Sequence, residues 1–412
     1  MGVRYSLFYV VTLLNIDLSE CLVMKIVIAP DSFKESLSAV SVAACIEKGF
    51  REVFPDADYV TLPLADGGEG TVDVLLQGLA GEKRVTQVEG PLGERVNAEW
   101  AMLEPSARTS KKTALIEIAA SSGLDLVTPE LRDPLVASSY GTGQLILEAM
   151  KQGAQTIILG LGGSATNDGG AGIVQALGGK LLDSIGQELS RGGAALAELA
   201  SIDLTDLDSR CADIELIVAC DVDNPLCGEN GASHIFGPQK GASPEQVVML
   251  DKALANFAQV AEAQGCVSGD EPVHKRTGYG AAGGTPMGLC LLFNMQIKPG
   301  IEMVLDVLQA DEILKGADLV ITGEGQMDNQ TLQGKTPYGI AKRASLQGIP
   351  TIGIAGSLGT QVEALYSEMA SLFGTVRSPQ PLEQVLQEAE LNLTRTARNI
   401  ASTLKLGHTI LK

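Results

Sequence analysis

From Lys25 onward, short runs of β-branched and aliphatic residues alternate with longer segments whose apolar positions recur every three or four residues. Such alternation predicts βα units stacked around largely parallel sheets. Lys25 to Ala29 (KIVIA) reads as the first strand, and Ser38 can cap a following helix with Ala39, Val42, Ala43, Ile46, Phe50 and Val53 on one face. Further strands are predicted at Tyr59 to Leu64, Ala114 to Ile118, Thr156 to Leu159, Glu215 to Ala219, Asp318 to Thr322 and Thr351 to Ala355. Helical spacing marks residues 139–152, 244–262, 337–347 and 381–404. The stretch from Val85 to Leu103 reads instead as two extended segments about a Gly90-Pro91-Leu92-Gly93 turn, a break in rhythm that marks entry into a second unit.

A chain of 412 residues exceeds one hydrophobic core, so two domains are expected. With 45% apolar but only 4% aromatic residues, those cores must be packed mainly by Ala, Val, Ile and Leu. Residues 1–23 form an extension in which Arg4 and the run Leu7 to Leu14 loosely imitate a signal peptide. No A-x-A site follows and the run is too short to span a bilayer, so Met24 is the expected start.

Fifty acidic against thirty basic residues give a formal charge of −20, which disfavours nucleic acid and anionic membranes as partners. An anionic substrate would meet the same repulsion, so its site must supply local Lys, Arg, helix N-termini or a divalent cation. Seven cysteines without metal-ligand spacing read as reduced thiols in a cytoplasmic protein, and three histidines without an HExxH arrangement give little support to a zinc site or triad.

The unusual polar and Gly-rich stretches lie just after the predicted strands, where open α/β sheets bind ligands. Asp31, Ser32 and Lys34 follow the first strand, and Asp66 and Glu69 the second. Thr156 to Leu159 opens onto Gly160-Leu161-Gly162-Gly163-Ser164-Ala165-Thr166-Asn167-Asp168-Gly169-Gly170, whose glycines let backbone N–H groups approach an anion and whose Asp168 could hold a cation or take a proton. Gly160, Gly162 and Ala165 also satisfy G-x-G-x-x-A, so a nicotinamide-dependent hydroxy-acid dehydrogenase is the competing enzyme class. Asp221, Asp223 and Asn224 follow Cys220, with Lys240 further on in Phe236-Gly237-Pro238-Gln239-Lys240. The last loop, Gly323 to Pro337, carries Glu324, Asp328 and Lys335; its Gly-Lys-Thr is not a P-loop, because Asn329 stands where that motif needs glycine.

Taken in order, APDSFKESLSA from Ala29, PLADGGEGT from Pro63, GGSATNDGGAG from Gly162, ACDVDNPLCG from Ala219, FGPQKGA from Phe236 and LVITGEGQMDNQTLQGKTPYGIA from Leu319 resemble the glycerate kinase type-1 family. The resemblance implies two α/β domains with mostly parallel sheets, one inserted into the other. The boundaries expected here are residues 24–90 and 290–412 for a discontinuous Rossmann or flavodoxin-like domain and 91–289 for the insert. The resemblance also implies transfer of the γ-phosphoryl of ATP to D-glycerate, with Mg²⁺, typically giving 2-phosphoglycerate. On the matched positions, Gly162, Gly163, Ser164, Thr166, Asn167 and Lys335 would bind phosphate oxygens, and Asp221 or Asp168 would take the hydroxyl proton. Lys240 would compensate charge, Asp66, Glu69, Asp223, Glu324 and Asp328 would serve Mg²⁺, and Asp31, Ser32, Lys34 and Asn224 would face glycerate. Thr277-Gly278-Tyr279-Gly280 before Ala281-Ala282-Gly283-Gly284 departs from the family's small-residue loop at a pocket wall. A non-catalytic binder of small acids is the alternative outside enzymes; the assembly state is open, with a homodimer as the candidate.

Overall fold

The computed structural model describes residues 23–67, 70–106, 110–267, 269 and 271–410. Its strands are β1 (Lys25–Ile28), β2 (Asp58–Thr61), β3 (Gly81–Glu89), β4 (Arg95–Leu103), β5 (Thr113–Glu117), β6 (Thr156–Gly160), β7 (Lys180–Leu182), β8 (Ser201–Asp203), β9 (Glu215–Ala219), β10 (Asn294–Lys298), β11 (Leu319–Met327), β12 (Thr351–Leu358) and β13 (Ser371–Gly374). One sheet has the order β2-β1-β11-β12-β13 and is parallel throughout. Counted along the chain this is the 2-1-3-4-5 order of flavodoxin-like folds, with its switch point between β1 and β11. The other sheet runs β3-β4-β5-β6-β9-β10, parallel from β5 to β10 and antiparallel at β3 and β4; β7 and β8 form a separate pair.

Local chemistry accounts for the elements. Ser38 accepts a hydrogen bond from Ser41 N at the start of the helix Ala39–Arg51, and Ser243 and Gln246 form a reciprocal capping box on the helix Pro244–Ala263. β6 is buried at every residue, which fits its continuous apolar run Thr156-Ile157-Ile158-Leu159 between two neighbours. Residues 381–404, read as one helix, are two: Leu382–Gln387 and Ala389–Ile410.

The first sheet draws its strands from residues 25–61 and 319–374, and the second from residues 81–298. Two strands sit differently from the sequence reading. β3, expected with the first unit, pairs with β4 from Gly81↔Leu103 to Glu89↔Arg95, because the Gly90 to Gly93 turn closes a hairpin. β10, also expected there, pairs with β9 along its length; its short NMQIK run gave no strand signal strong enough to separate it from the helix before it.

The sheets share apolar packing. Leu103, Leu115, Ile158 and Ala219 of the second share one buried cluster with Val27 and Val320 of the first, with Leu64 beyond β2, with Ile340 of the helix Thr336–Leu346, and with Ile301 and Val304 of the helix Gly300–Val307. Leu103→Ala should therefore lower unfolding stability by about 2–5 kcal/mol in urea melts. Leu346→Ala, at a side chain 79% exposed, should stay within about 0.5 kcal/mol of wild type in the same assay.

Candidate active site

The chain passes from the first sheet to the second after β2 and returns before β11, and these passages touch. Gly67 has φ +87°, and a Cβ there would lie 2.7 Å from Gly300 Cα and 3.2 Å from Ala219 Cβ. A Cβ on Gly300 would lie 1.8 Å from Asp66 O, so only glycine fits without displacement. Gly300 opens the helix Gly300–Val307, and its N–H donates to Asp221 Oδ1 at 2.8 Å. Burial pushes the Asp221 carboxyl up to about 6; the Gly300 N–H opposes the shift and the Asp66 carboxylate adds to it.

Beside this junction lies a cavity of about 380 Å³ lined by Asp66, Gly67, Asp221, Lys240, the Gly162-Gly163-Ser164 turn and a set of apolar side chains. The Lys240 side chain is buried and donates to Ser164 Oγ at 2.9 Å and Thr166 O at 2.6 Å. Burial pulls its ammonium down to about 7, against the opposing pull of Asp168. A desolvated lysine beside glycine-rich backbone suits an arriving anion, whose charge would restore the proton that burial disfavours. One wall is strained: Ala282 sits at φ 49°, ψ 41°, a left-handed conformation that costs an alanine roughly 1–2 kcal/mol. It is held by Thr285 Oγ1, which donates to Ala282 O at 2.8 Å, and by Gly169 N, which donates to Gly283 O at 3.0 Å.

Other residues of the same loop face inward. Asp168 is fully buried and accepts from Ser139 N, Ser139 Oγ, Gly170 N and Gly172 N at 2.8–3.2 Å. Thr166 and Asn167 are fully buried too, with Asn167 Nδ2 donating to Ser233 Oγ at 2.9 Å. None of the three lines the cavity, so they brace the turn from behind. The dinucleotide reading of Gly160, Gly162 and Ala165 wants a helix opening at the glycines, whereas the next helix, Ala171–Ala176, begins beyond them and is short. Asp223 and Asn224 do not line the cavity either, and Asn224 Nδ2 donates to Asn230 O at 2.8 Å within its own loop.

A second group lies at the switch point of the first sheet. Asp31, past β1, accepts from Thr336 Oγ1 at 2.6 Å and from Ser32 N at 2.6 Å. Burial raises its pKa; Thr336 counters this and Asp66 contributes to it. Glu324 belongs to β11, which runs five residues past the Thr322 at which the sequence reading ended it. It is buried, accepts from Thr331 Oγ1 at 2.6 Å and is pushed by burial up to about 7, with Thr331 and Lys335 opposing and Asp31 and Asp328 reinforcing. Asp328 accepts from Gln330 N at 2.8 Å and Gln326 Nε2 at 2.9 Å, and Lys34 is exposed. Glu69 lies outside the described residues.

Among the described residues no three His, Cys, Asp or Glu side chains stand close enough together to hold a metal ion. The expected set of five carboxylates is thus divided: Asp66 is at the cavity, Glu324 and Asp328 belong to the switch-point group, and Asp223 stands apart. What the structure offers a cation is the negative potential that Asp66 exerts on both Asp31 and Asp221. That arrangement fits Mg²⁺ carried in by phosphates and touched by one or two carboxylates, the usual manner of Mg²⁺ in nucleotide sites. Sequence reasoning missed Gly300, whose signal was a Pro-Gly pair at a helix start, and Thr331 and Thr336, which look like ordinary loop hydroxyls.

The glycerate kinase family profile matches residues 26–405. A protein of Escherichia coli named glycerate 2-kinase is 50% identical over 385 residues, 93% of this chain and 99% of that one. A glycerate kinase of Bacillus subtilis is 49% identical over 389 residues, 94% of this chain and 99% of its own. The crystal structure of a Salmonella typhimurium chain assigned as glycerate kinase 2 superposes with a TM-score of 0.83 at 49% identity, covering 94% of this chain and 100% of that one. With a profile and relatives spanning nearly the whole described fold, the chain belongs to the glycerate kinase family.

Proposed function

We propose that this chain transfers the γ-phosphoryl of ATP to the 2-hydroxyl of D-glycerate, giving 2-phosphoglycerate and ADP. The observation that carries the proposal is the convergence on one cavity of the Gly162-Gly163-Ser164 turn, Lys240, and Asp221 with its raised pKa. The name of the Escherichia coli relative, glycerate 2-kinase, supports the 2-position.

Phosphoryl transfer asks for positioning and charge compensation more than for covalent chemistry. The backbone of Gly162 to Ser164 and the Lys240 ammonium hold phosphate oxygens. Asp221 Oδ1 is fixed by Gly300 N, and its Oδ2, which has no protein donor among the described residues, takes the proton of the glycerate hydroxyl. The hydroxyl oxygen forms the new bond to the γ-phosphorus as the bond to the β,γ-bridging oxygen breaks, and ADP leaves with the bridging oxygen. Mg²⁺, when bound, neutralises phosphate charge, and Asp66 with Asp221 would attract it. Lys335 at the switch-point group supplies positive charge for the acid's carboxylate, beside Asp31 and Thr336.

Two measurements test this. Coupled ADP release with D-glycerate, ATP and Mg²⁺ should show turnover by protein starting at Met24. Asp221→Asn should lower kcat by about 10²–10⁴ with an unchanged melting curve. Because the base must be ionised and its pKa is raised to about 6, wild-type kcat/KM should climb with pH through about 6, and this limb should vanish in the variant. Full activity in a folded Asp221→Asn protein would exclude it as the base.

The second concerns Lys240, which is largely neutral above pH 7 until an anion arrives beside it. Calorimetric titration of MgADP in buffers of different ionisation enthalpy should show uptake of close to one proton at about pH 8 and little below about pH 6. Lys240→Met should abolish the uptake and weaken MgADP binding. Proton uptake unchanged in the variant would place the anion elsewhere.

A further inference from the structure

The cavity is larger and more apolar than its polar chemistry requires. A three-carbon acid occupies the space of roughly three or four waters at about 30 Å³ each, and would leave most of about 380 Å³ empty. Glycerate has no apolar face, yet beyond the Gly162–Ser164 turn and the carboxylates the wall consists largely of Leu124, Leu161, Val222, Phe236, Ala281 and Ala282. A pocket of this kind suits a planar ring with apolar faces attached to an anionic tail.

The wall is fixed relative to the anion turn by backbone contacts. Leu124 N donates to Gly163 O at 2.7 Å, and Gly123 and Ser164 form an isolated bridge, so the Leu124 side rides on the turn itself. Ala281 and Ala282 are tied in from the opposite chain segment, because Gly283 packs so tightly that a Cβ on it would lie 2.0 Å from Thr166 O. The strained left-handed backbone at Ala282 presents a methyl group to the cavity where a larger side chain would fill it. The reaction chemistry alone gives this Ala281 to Gly284 segment no task.

We propose that this apolar half of the cavity is the seat of the nucleotide's base, with Leu124, Phe236 and Ala282 setting which nucleoside triphosphate serves as donor. The inference rests on the kinase reading above and extends it. The triphosphate then runs along Gly162 to Ser164 and past Lys240, and its γ end reaches Asp221 and Asp66. Glycerate enters from the other side of Asp66, where Asp31, Thr336 and Lys335 stand. Since the seat is apolar, it reads ring size and stacking more than hydrogen-bond pattern. ATP and GTP should differ in kcat/KM by less than about 100-fold.

The test fills or empties the seat without touching the anion turn or the carboxylates. Leu124→Trp occupies it; MgADP affinity by calorimetry should fall, and KM for ATP rise, by about 10- to 200-fold, with KM for D-glycerate within about twofold. Phe236→Ala removes a stacking face and should weaken MgADP roughly tenfold, which guards against a folding defect in the first variant. Melting curves accompany both. If wild type binds MgADP and phosphorylates glycerate while both folded variants keep their ADP affinity, the base seat is overturned and the kinase reading stands. A rise in glycerate KM with ATP unaffected would make the cavity the acid's site and equally overturn it. If wild type neither binds MgADP nor turns over, both readings fall together.

Discussion

The structure depends on the contact between Gly67 and Gly300. Two backbones meet there more closely than any side chain would permit, and they belong to the segments that carry the chain out of the first sheet and back into it. Parallel sheets present their carboxyl ends to ligands, but each sheet alone offers only half of what phosphoryl transfer needs. The second supplies the glycine-rich turn after β6, Lys240 and Asp221; the first supplies Asp31 and Glu324 at its switch point. Asp66 sits at the junction and acts electrostatically on a carboxylate from each side.

That geometry also meets the difficulty posed by a chain of charge −20 acting on anions. On the proposed function, phosphate meets neutral glycine backbone plus one lysine, so desolvated that it would gain its proton most readily when an anion is present. Asp66 and Asp221 line the same cavity, where carboxylates repel phosphate unless a cation intervenes and where one of raised pKa can take a proton. Burial therefore shifts lysine and aspartate in opposite directions, each toward its neutral form, so that both lie within reach of neutral pH, and neither effect depends on the distant surface charge.

Much of the fold was legible because its strands are continuous apolar runs punctuated by capped helices: β1, β6, β9 and the Ser38 cap fall where the pattern put them. What escaped was pairing. β3 is largely polar and exposed and β10 is short, and only the hairpin with β4 and the ladder with β9 assign them to their sheet. The site was legible as loops but not as roles. Gly162, Gly163, Ser164, Asp221 and Lys240 converge on one cavity, whereas Asp168, in the same glycine-rich run, turns inward to take four hydrogen bonds. Composition cannot tell a carboxylate that faces a ligand from one that ties down two helix starts. Nor could it find Leu124 or Gly300, whose importance comes wholly from what the fold presses against them.

The most direct test of the junction is Gly300→Ala, measured as steady-state glycerate phosphorylation beside a thermal melt. The added methyl must displace Asp66 or the start of the Gly300–Val307 helix, and with it the N–H that holds Asp221. Displacement by about 1 Å should cost on the order of 10²-fold in kcat while the protein remains folded. A folded Gly300→Ala protein with wild-type kcat would contradict the dependence of the chemistry on this contact.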